Sequence, residues 1–337
     1  MTLANSILAL ALGGTLAISS CAPDVPGDGL NTITGDAFGT TYTIKSTAAS
    51  DKQACDAILA AIDLSMSTYR PDSEISRFNA STETTWFPVS PDFVSVVQTA
   101  HSVSEQTGGA LDITAAPLFE LWSPDETATP PPALAITGAR LQINFHNISV
   151  QTSPPALRKN SPATRIDVSA IAKGFAVDAI ATHLDETGHL DYMVEIGGEI
   201  LTRGNRPDGS PFRIGIENPT PGERSIHSSV PLENTSMATS GDYRNFFTHN
   251  GKHYSHIIDP RTGQPVGHDL AAVTVITPVS TALADALATA LLVKGPDRGY
   301  AFAGENHLAA LFIQRAPDGT TTTRTTQQFD LISPPRP

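Results

Sequence analysis

The sequence contains little cysteine and little positive charge, and each shortage excludes a class of protein. Only two of its 337 residues are cysteines, Cys21 and Cys55, which excludes a small disulfide-stabilised scaffold. Lysine and arginine total 21 against 34 acidic residues, giving a formal charge of -13. Because a nucleic-acid groove requires clustered cations, we expect no nucleic-acid partner. The cysteines and histidines also lack the spacing of a zinc site.

The remaining composition is that of a folded globular protein. Hydrophobic residues make up 40% of the chain and charged residues 16%, so the chain has enough apolar residues for a large core. The length allows one large domain or two ordinary ones. The 26 prolines indicate many turns and loops. This profile favours an α+β enzyme.

Residues 1–20 are almost uniformly apolar or small and end in Ile-Ser-Ser followed by Cys21, which is typical of a bacterial lipoprotein signal. Cys21 would then be lipidated, and Cys55 would have no partner for an internal disulfide. The segment before Leu8 contains no lysine or arginine, which leaves a plain secretory signal or an uncleaved anchor as alternatives. Each alternative exports the protein. We expect it in the bacterial cell envelope, on the periplasmic side, anchored to the inner membrane by lipid.

Residue patterns divide the exported part into a tether at 21–31, a body at 32–331 and a tail at 332–337. Alternation predicts a strand pair over 31–46, and apolar spacing predicts helices over 51–66 and 91–108. Residues 123–132 are expected to form a proline-rich loop.

The second half is predicted to start with a βαβ unit: a strand at 165–168, a turn at 169–173, a helix at 175–184 and a strand at 192–196. Five further strands predict a mixed or antiparallel second sheet, at 212–216, 236–239, 253–258, 272–276 and 309–314. The apolar segment 281–292 is its predicted helix.

Asp285 and Thr289 form the best candidate metal site. Their i, i+4 spacing places both side chains on one face of the predicted helix. A carboxylate and a hydroxyl suit a hard cation, so magnesium bridging a pyrophosphate is the natural occupant. The alternative is that Asp285 caps or salt-bridges locally while Thr289 bonds its own helix.

Three other sites carry candidate chemistry. Lys173 could neutralise a phosphate oxygen as a point charge, or it could be an ordinary surface lysine. His256 could act as a general base near neutral pH, or it could be a core histidine. Gly197-Gly198, flanked by Glu195 and Glu199, could bring backbone amides close to a phosphate or sugar, or could simply form a turn.

Eight ordered motifs resemble the ApbE-type FAD:protein FMN transferases, nearly from end to end of the body. They are GTTY at 39–42, MSTYRPDSEISRFN at 66–79, GGALDIT at 108–114 with Pro117-Leu118, DVSAIAKG at 167–174, EIGGE at 195–199, TSGDY at 239–243, SHIIDPRTGQP at 255–265 and TALADALAT at 281–289.

The resemblance implies a two-lobed α+β fold, with mixed or antiparallel sheets flanked by helices and an FAD cleft between the lobes. It implies magnesium-dependent cleavage of FAD, attachment of FMN to a threonine of an exported or membrane protein, and release of AMP. The implied metal ligands are Asp285, Thr289 and the Ala170 carbonyl, and the implied catalytic residues are His256, Asp285 and Lys173. The implied cofactor-binding residues are Tyr69, Ala110, Leu111, Asp112, Ala170, Lys173, Glu195, Gly197, Gly198, His256 and Ile257.

The family's acceptor motif resembles Asp/Ser-Gly-Ala-Thr-Ser/Thr, and the chain contains no copy of it. The resemblance therefore implies that the acceptor is another protein, of the class of flavin-bearing subunits of membrane redox complexes. Two alternatives use the same site: an FAD carrier without transfer, and hydrolysis of FAD to FMN and AMP. Phe38 stands where many members have methionine, and we expect it to alter packing on FAD without abolishing binding.

Overall fold

The computed structural model describes residues 28–122, 129–220, 225–242, 246–249, 252–316, 318 and 320–334. The predicted signal, Cys21 and most of the predicted tether lie outside the described residues, as do 123–128 of the predicted loop and the last three residues of the tail. Among the helices of the described part, none has the length and apolar character needed to cross a membrane.

The described residues form helices and strands in nearly equal measure, which confirms the predicted α+β class. The helices are α1 Lys52–Met66, α2 Glu74–Ala80, α3 Pro91–Thr107, α4 Ala116–Leu121, α5 Ala133–Arg140, α6 Ser169–Glu186, α7 Thr281–Lys294, α8 Pro296–Glu305 and α9 Gln327–Ile332. The strands are β1 Asn31–Ala37, β2 Thr40–Ser46, β3 Phe87–Pro88, β4 Ile148–Thr152, β5 Pro155–Lys159, β6 Tyr192–Ile196, β7 Glu199–Arg203, β8 Phe212–Glu217, β9 Ile226–Leu232, β10 Ser236–Gly241, β11 Phe246–His249, β12 Lys252–Ser255, β13 Ile258–Asp259, β14 Gln264–Pro265, β15 Leu270–Thr277, β16 Ala309–Arg315 and β17 Thr321–Thr325.

An eight-stranded sheet in the order β1-β2-β6-β7-β10-β15-β16-β17 forms the centre of the fold. Neighbouring strands in it pair antiparallel. The predicted second sheet is therefore wrong as a separate unit: its strands at 236–239, 272–276 and 309–314 lie in this sheet beside the N-terminal hairpin, whereas 212–216 belongs to the β8-β9 pair and 253–255 to the β11-β12 pair. On one face, α1, α3, α6 and α7 form the main core. The β8-β9 hairpin and α9 cover the other face. Every residue of β15 is buried, which explains its continuous apolar run.

Local signals in the sequence account for several element ends. The Asp51 carboxylate accepts hydrogen bonds from the Gln53 and Ala54 amides and caps α1. Gly108 ends α3 with a φ of 65°, a left-handed conformation that glycine adopts without strain. The two predicted N-terminal helices are therefore confirmed. Cys55 is fully buried in α1, as expected of a helix core residue.

The predicted βαβ unit is wrong. Residues 165–168 belong to no strand, because the Asn79 side chain binds both the amide and the carbonyl of Ile166, each at 2.8 Å. Helix α6 begins at Ser169, so Lys173 lies within the helix rather than in a turn. Both neighbours of β6 run antiparallel to it.

Gly174 allows α6 and α7 to pack in direct backbone contact. A Cβ at this position would lie 2.5 Å from the Thr281 carbonyl oxygen and 2.8 Å from the Ala282 Cα. We expect Gly174→Ala to lower the free energy of unfolding by about 1–3 kcal/mol, measured by urea denaturation. The control is Gly138→Ala on the exposed side of α5, where no atom lies within 4 Å. That change should stabilise the protein by up to about 1 kcal/mol, and equal effects would contradict this view of the packing.

Candidate active site

A pocket brings together residues that are far apart in the sequence. It lies between the segment after α3, the start of α6, the β13 turn and the second half of α7. Five predicted site residues line it: Ala110, Leu111, Asp112, Ala170 and Thr289. The other lining residues are Ile113, Phe119, Asp167, Ser169, Ile171, Ile258, Pro260 and Val293.

Asp112 shapes the wall of this pocket that follows α3. Its Oδ1 accepts hydrogen bonds from the Thr114 amide at 2.8 Å and hydroxyl at 2.6 Å, and its Oδ2 accepts from the Phe145 amide at 3.0 Å. Burial raises the pKa of Asp112, while these three bonds oppose the shift. Both carboxylate oxygens are thus occupied by the protein, so the side chain orders the segment that contains Ala110 and Leu111.

One long-range hydrogen bond and several local ones hold the start of α6 against that wall. The Asp167 amide donates to the Ile113 carbonyl at 2.7 Å, and the Asp167 carboxylate accepts from the Ser169 amide at 2.7 Å. The buried Lys159 ammonium donates to the Thr164 carbonyl at 3.3 Å. Together with the two hydrogen bonds between Asn79 and Ile166, these contacts fix the position of Ala170.

Helix α7 contributes Thr289 and Val293 to the pocket lining, and Asp285 lies one turn before Thr289 in the same helix. Asp285 is only 3% exposed, and its Oδ2 accepts from the Gly174 amide at 3.2 Å. Thr289 Oγ1 lies 2.9 Å from Ser240 Oγ. The capping alternative for Asp285 is wrong, because Ser280 caps α7 by accepting from the Leu283 amide. The Thr289 hydroxyl pairs with Ser240 on β10, so the alternative of a bond within its own helix does not describe it either.

Lys173 lies between two buried carboxyl groups. Its Nζ is 3.3 Å from Glu199 Oε1 and 3.6 Å from Asp285 Oδ2, and its side chain is 29% exposed, so it is not a free surface lysine. Desolvation opposes its charge, but the two acids outweigh that effect and raise its pKa above the ordinary value. Burial raises the pKa of Asp285 and raises that of Glu199 to about 8.

Glu199 is a residue of this cluster that sequence reasoning did not assign to the site. Its Oε2 is buried without a hydrogen-bond partner among the described residues. The only signal in the sequence is its place at the end of the EIGGE motif, two residues after Gly197. A glutamate at the start of the short strand EILTR gives no indication that it reaches Lys173.

Gly197-Gly198 forms the tight turn between β6 and β7, with φ values of 61° and 106°. The Gly198 amide donates to Glu195 Oε1 at 2.8 Å. A Cβ at Gly197 would lie 2.8 Å from Thr40 Cγ2 and 3.5 Å from Lys173 Cδ. The structural-turn interpretation is therefore correct, and the turn also lies directly beside Lys173.

The β1-β2 turn also has positive φ values, 53° at Phe38 and 74° at Gly39. For a bulky aromatic residue this conformation is rare and strained. Phe38 is half-buried against the main core, so the residue at the family's usual methionine position packs on protein atoms.

The remaining predicted residues lie outside the pocket lining. His256 occupies a bend that interrupts the predicted strand 253–258, between β12 and β13. The Ile257 amide donates to Ser255 Oγ at 3.0 Å, and the next residue, Ile258, lines the pocket. Tyr69 lies on the turn between α1 and α2 and is 95% exposed, so almost no protein surface covers its ring. Their predicted contacts with FAD stay predictions.

The oxygen donors near the pocket suit a hard cation. No group of three His, Cys, Asp or Glu side chains suited to a metal occurs in the described part of the chain. Asp285 would act with the Thr289 hydroxyl and the Ala170 carbonyl. In a regular helix the Gly174 amide would donate to the Ala170 carbonyl alone, and here Asp285 competes for that donor. A carbonyl oxygen has two lone pairs, so the Ala170 carbonyl keeps at least one for a cation.

Comparison with known proteins agrees with this arrangement. The ApbE family model matches residues 38–312. An FAD:protein FMN transferase of Haemophilus influenzae is 39% identical over 336 residues, covering 95% of each chain. The corresponding Vibrio cholerae protein is 38% identical over 320 residues, covering 92% of this chain and 94% of the relative.

Solved structures give the same result. The flavin transferase ApbE of Vibrio cholerae has a TM-score of 0.81 and 37% identity, covering 90% of this chain and 99% of that one. The apo flavinyl transferase ApbE of Pseudomonas stutzeri has a TM-score of 0.81 and 38% identity, covering 90% and 96%. With this similarity across most of its length, the chain belongs to the ApbE family and is a flavin transferase.

Proposed function

We propose that this enzyme cleaves the pyrophosphate of FAD with magnesium and joins FMN through a phosphoester to a threonine of another protein, releasing AMP. The observation that carries the proposal is the buried Asp285 beside Lys173, one helical turn from Thr289 at the pocket. The relatives' names support FAD and FMN as substrate and transferred group.

Asp285, Thr289 and the Ala170 carbonyl would hold the magnesium ion, since all three offer oxygen. When bound there, magnesium supplies a Lewis acid that offsets charge on the pyrophosphate. Lys173 provides a fixed positive charge beside the same ligands, held in place by Glu199 and Asp285. Positioning and electrostatics of this kind supply most of the rate in phosphoryl transfer.

His256 is the proposed base for the acceptor hydroxyl. Imidazole is the side chain most often used as a general base, and the bend that contains His256 leads directly into the pocket-lining Ile258. The attacking threonine oxygen would form its bond to the FMN phosphorus as the bond to the AMP phosphate breaks. The hydroxyl proton would go to His256.

The acceptor is proposed to be an exported or membrane redox protein, with a motif like Asp/Ser-Gly-Ala-Thr-Ser/Thr. The lipoprotein-like segment that ends at Cys21 supports a lipid anchor on the periplasmic side of the inner membrane. Such an anchor would hold the enzyme at the surface where subunits of membrane redox complexes are exposed.

The charge balance of the Lys173 cluster depends on pH. One lysine cannot fully compensate two buried carboxylates, so Glu199, with its pKa raised to about 8, keeps a proton at neutral pH without a bound cation. Between its ordinary pKa of 4.5 and about 8, the native state binds more protons at this group than the unfolded state does. The stability that Glu199 contributes is therefore present at low pH and lost as pH rises through that window.

The first prediction concerns Asp285. Asp285→Asn should lower FMN transfer by at least about 10²-fold, since it removes the only carboxylate proposed to bind magnesium. The assay incubates residues 22–337 with FAD, magnesium and an acceptor domain, and follows acceptor mass and AMP release. The control is Asp297→Asn, a 92% exposed carboxylate in a surface ion pair, which should leave transfer unchanged.

The same assay separates the proposed reaction from its alternatives. Acceptor mass rising by FMN with equal AMP supports transfer. AMP without a modified acceptor would instead show hydrolysis, and bound, intact FAD would show a carrier.

The second prediction concerns His256. His256→Ala should retain FAD binding but slow transfer by about 10²–10⁴-fold, because the acceptor hydroxyl loses its base. Unchanged turnover would exclude His256 as the base.

The third prediction concerns Glu199. In EDTA, Glu199→Gln should become more stable relative to the unsubstituted protein on going from pH 5 to pH 8. The relative gain should be at least about 1.4 kcal/mol, the equivalent of one pKa unit, measured by denaturant unfolding. Glu83→Gln, at an exposed site, is the control and should show no such change. A pH-independent difference for the Glu199 variant would contradict the raised pKa.

A further inference from the structure

Two hydroxyl pairs join α7 to the neighbouring strand β10. The Thr281 hydroxyl donates to Ser236 Oγ at 3.0 Å, and Thr289 Oγ1 lies 2.9 Å from Ser240 Oγ. The two threonines are separated by about 12 Å along the helix, at about 1.5 Å per residue. The two serines are separated by about 13 Å along the strand, at about 3.3 Å per residue. The spacings match, so the pairs fix the register of α7 on β10 at both ends.

Apart from Thr281 at the start of α7, Thr289 differs in its hydrogen bonding from the other threonines in the described helices. Those at 99, 107, 137 and 182, and Thr187 just after α6, donate to the carbonyl four residues earlier, at 2.7–3.0 Å. This backbone bond is the usual arrangement within a helix. Thr289 pairs with Ser240 instead, which turns its hydroxyl away from its own helix.

The direction of the Thr289 proton decides whether its oxygen can bind a cation. A hydroxyl that offers a lone pair to a metal must direct its proton elsewhere. Ser240 Oγ is a hydrogen-bond acceptor at the right distance, and Thr289 lines the pocket while Ser240 does not. With Ser240 accepting the proton, the lone pairs of Thr289 are left for the pocket.

The structure holds Ser240 rigidly at this place. On one side, Thr239 Oγ1 lies 2.8 Å from Thr274 Oγ1 on β15. On the other side, the buried Asp242 carboxylate accepts two hydrogen bonds from Arg315, one of them at 3.0 Å. Both contacts reach strands of the central sheet, so Ser240 cannot shift easily toward or away from α7.

We infer that Ser240 is a positioning residue of the proposed cation site: it accepts the Thr289 proton and directs the Thr289 oxygen to the metal. The inference rests on the proposed magnesium site of Asp285 and Thr289. It adds Ser240 as a residue that orients a ligand without binding the metal itself. Partners of metal ligands commonly matter for affinity because they fix the orientation of the ligand.

The test measures Mn²⁺ binding to the full chain by electron paramagnetic resonance, in the presence of FAD. Ser240→Ala should raise the Mn²⁺ dissociation constant about tenfold, the lower end of the effect for partners of metal ligands. Ser240→Thr keeps a hydroxyl and should restore the affinity. Ser236→Ala removes the same kind of pair at the other end of the helix, so it should lower the unfolding temperature and leave the Mn²⁺ affinity unchanged.

A double-mutant cycle shows whether Ser240 acts through Thr289. Thr289→Ala should weaken Mn²⁺ binding, and adding Ser240→Ala should then produce no further loss. The inference is overturned if Ser240→Ala leaves the affinity unchanged, or if it weakens binding equally when Thr289 is absent. Asp285→Asn tests the magnesium site separately from the role of Ser240. A normal Mn²⁺ affinity in that variant would overturn the proposed magnesium site itself.

Discussion

The direct backbone contact between α6 and α7 is the interaction on which the rest of the site depends. Gly174 provides the space, because any side chain there would meet the Thr281 carbonyl. The two helices then exchange hydrogen bonds. Asp178 on α6 accepts from the Thr281 and Ala282 amides at 2.8 and 2.9 Å, and Asp285 on α7 accepts from the Gly174 amide. These bonds align Ala170 and Lys173 with Asp285 and Thr289.

This arrangement places charge where the fold would otherwise be apolar. Most of α7 is buried, as expected for a helix that is hydrophobic on every side. Burying Asp285, Glu199 and Lys173 together costs desolvation free energy that their mutual attraction need not recover. Glu199 also keeps one oxygen without a partner among the described residues. A buried charged cluster with an unpaired oxygen is best explained by the phosphate and cation chemistry proposed for the pocket.

The antiparallel sheet positions the side chains of the site. Its strands β6 and β7 meet in a glycine turn beside Lys173, and β10 contacts Thr289 through Ser240. The wall formed by Ala110 and Leu111 depends on hydrogen bonds of Asp112 and Asp167 that join separate segments. Each group of the pocket is therefore held by a contact with an element distant in the sequence, which suits catalysis by positioning.

The sequence alone determined the local features: the capped helices α1 and α3, the first hairpin, the pairing of Asp285 with Thr289 on one helical face, and the family. These follow from spacing, caps and motifs, which are properties of neighbouring residues. Only the tertiary structure decided that Ile166 bonds to Asn79, so that 165–168 joins no strand, and that Glu199 reaches Lys173 and Ser240 reaches Thr289. Such contacts join residues dozens of positions apart, and neither periodicity nor propensity carries information about them, because both describe a segment without its partners.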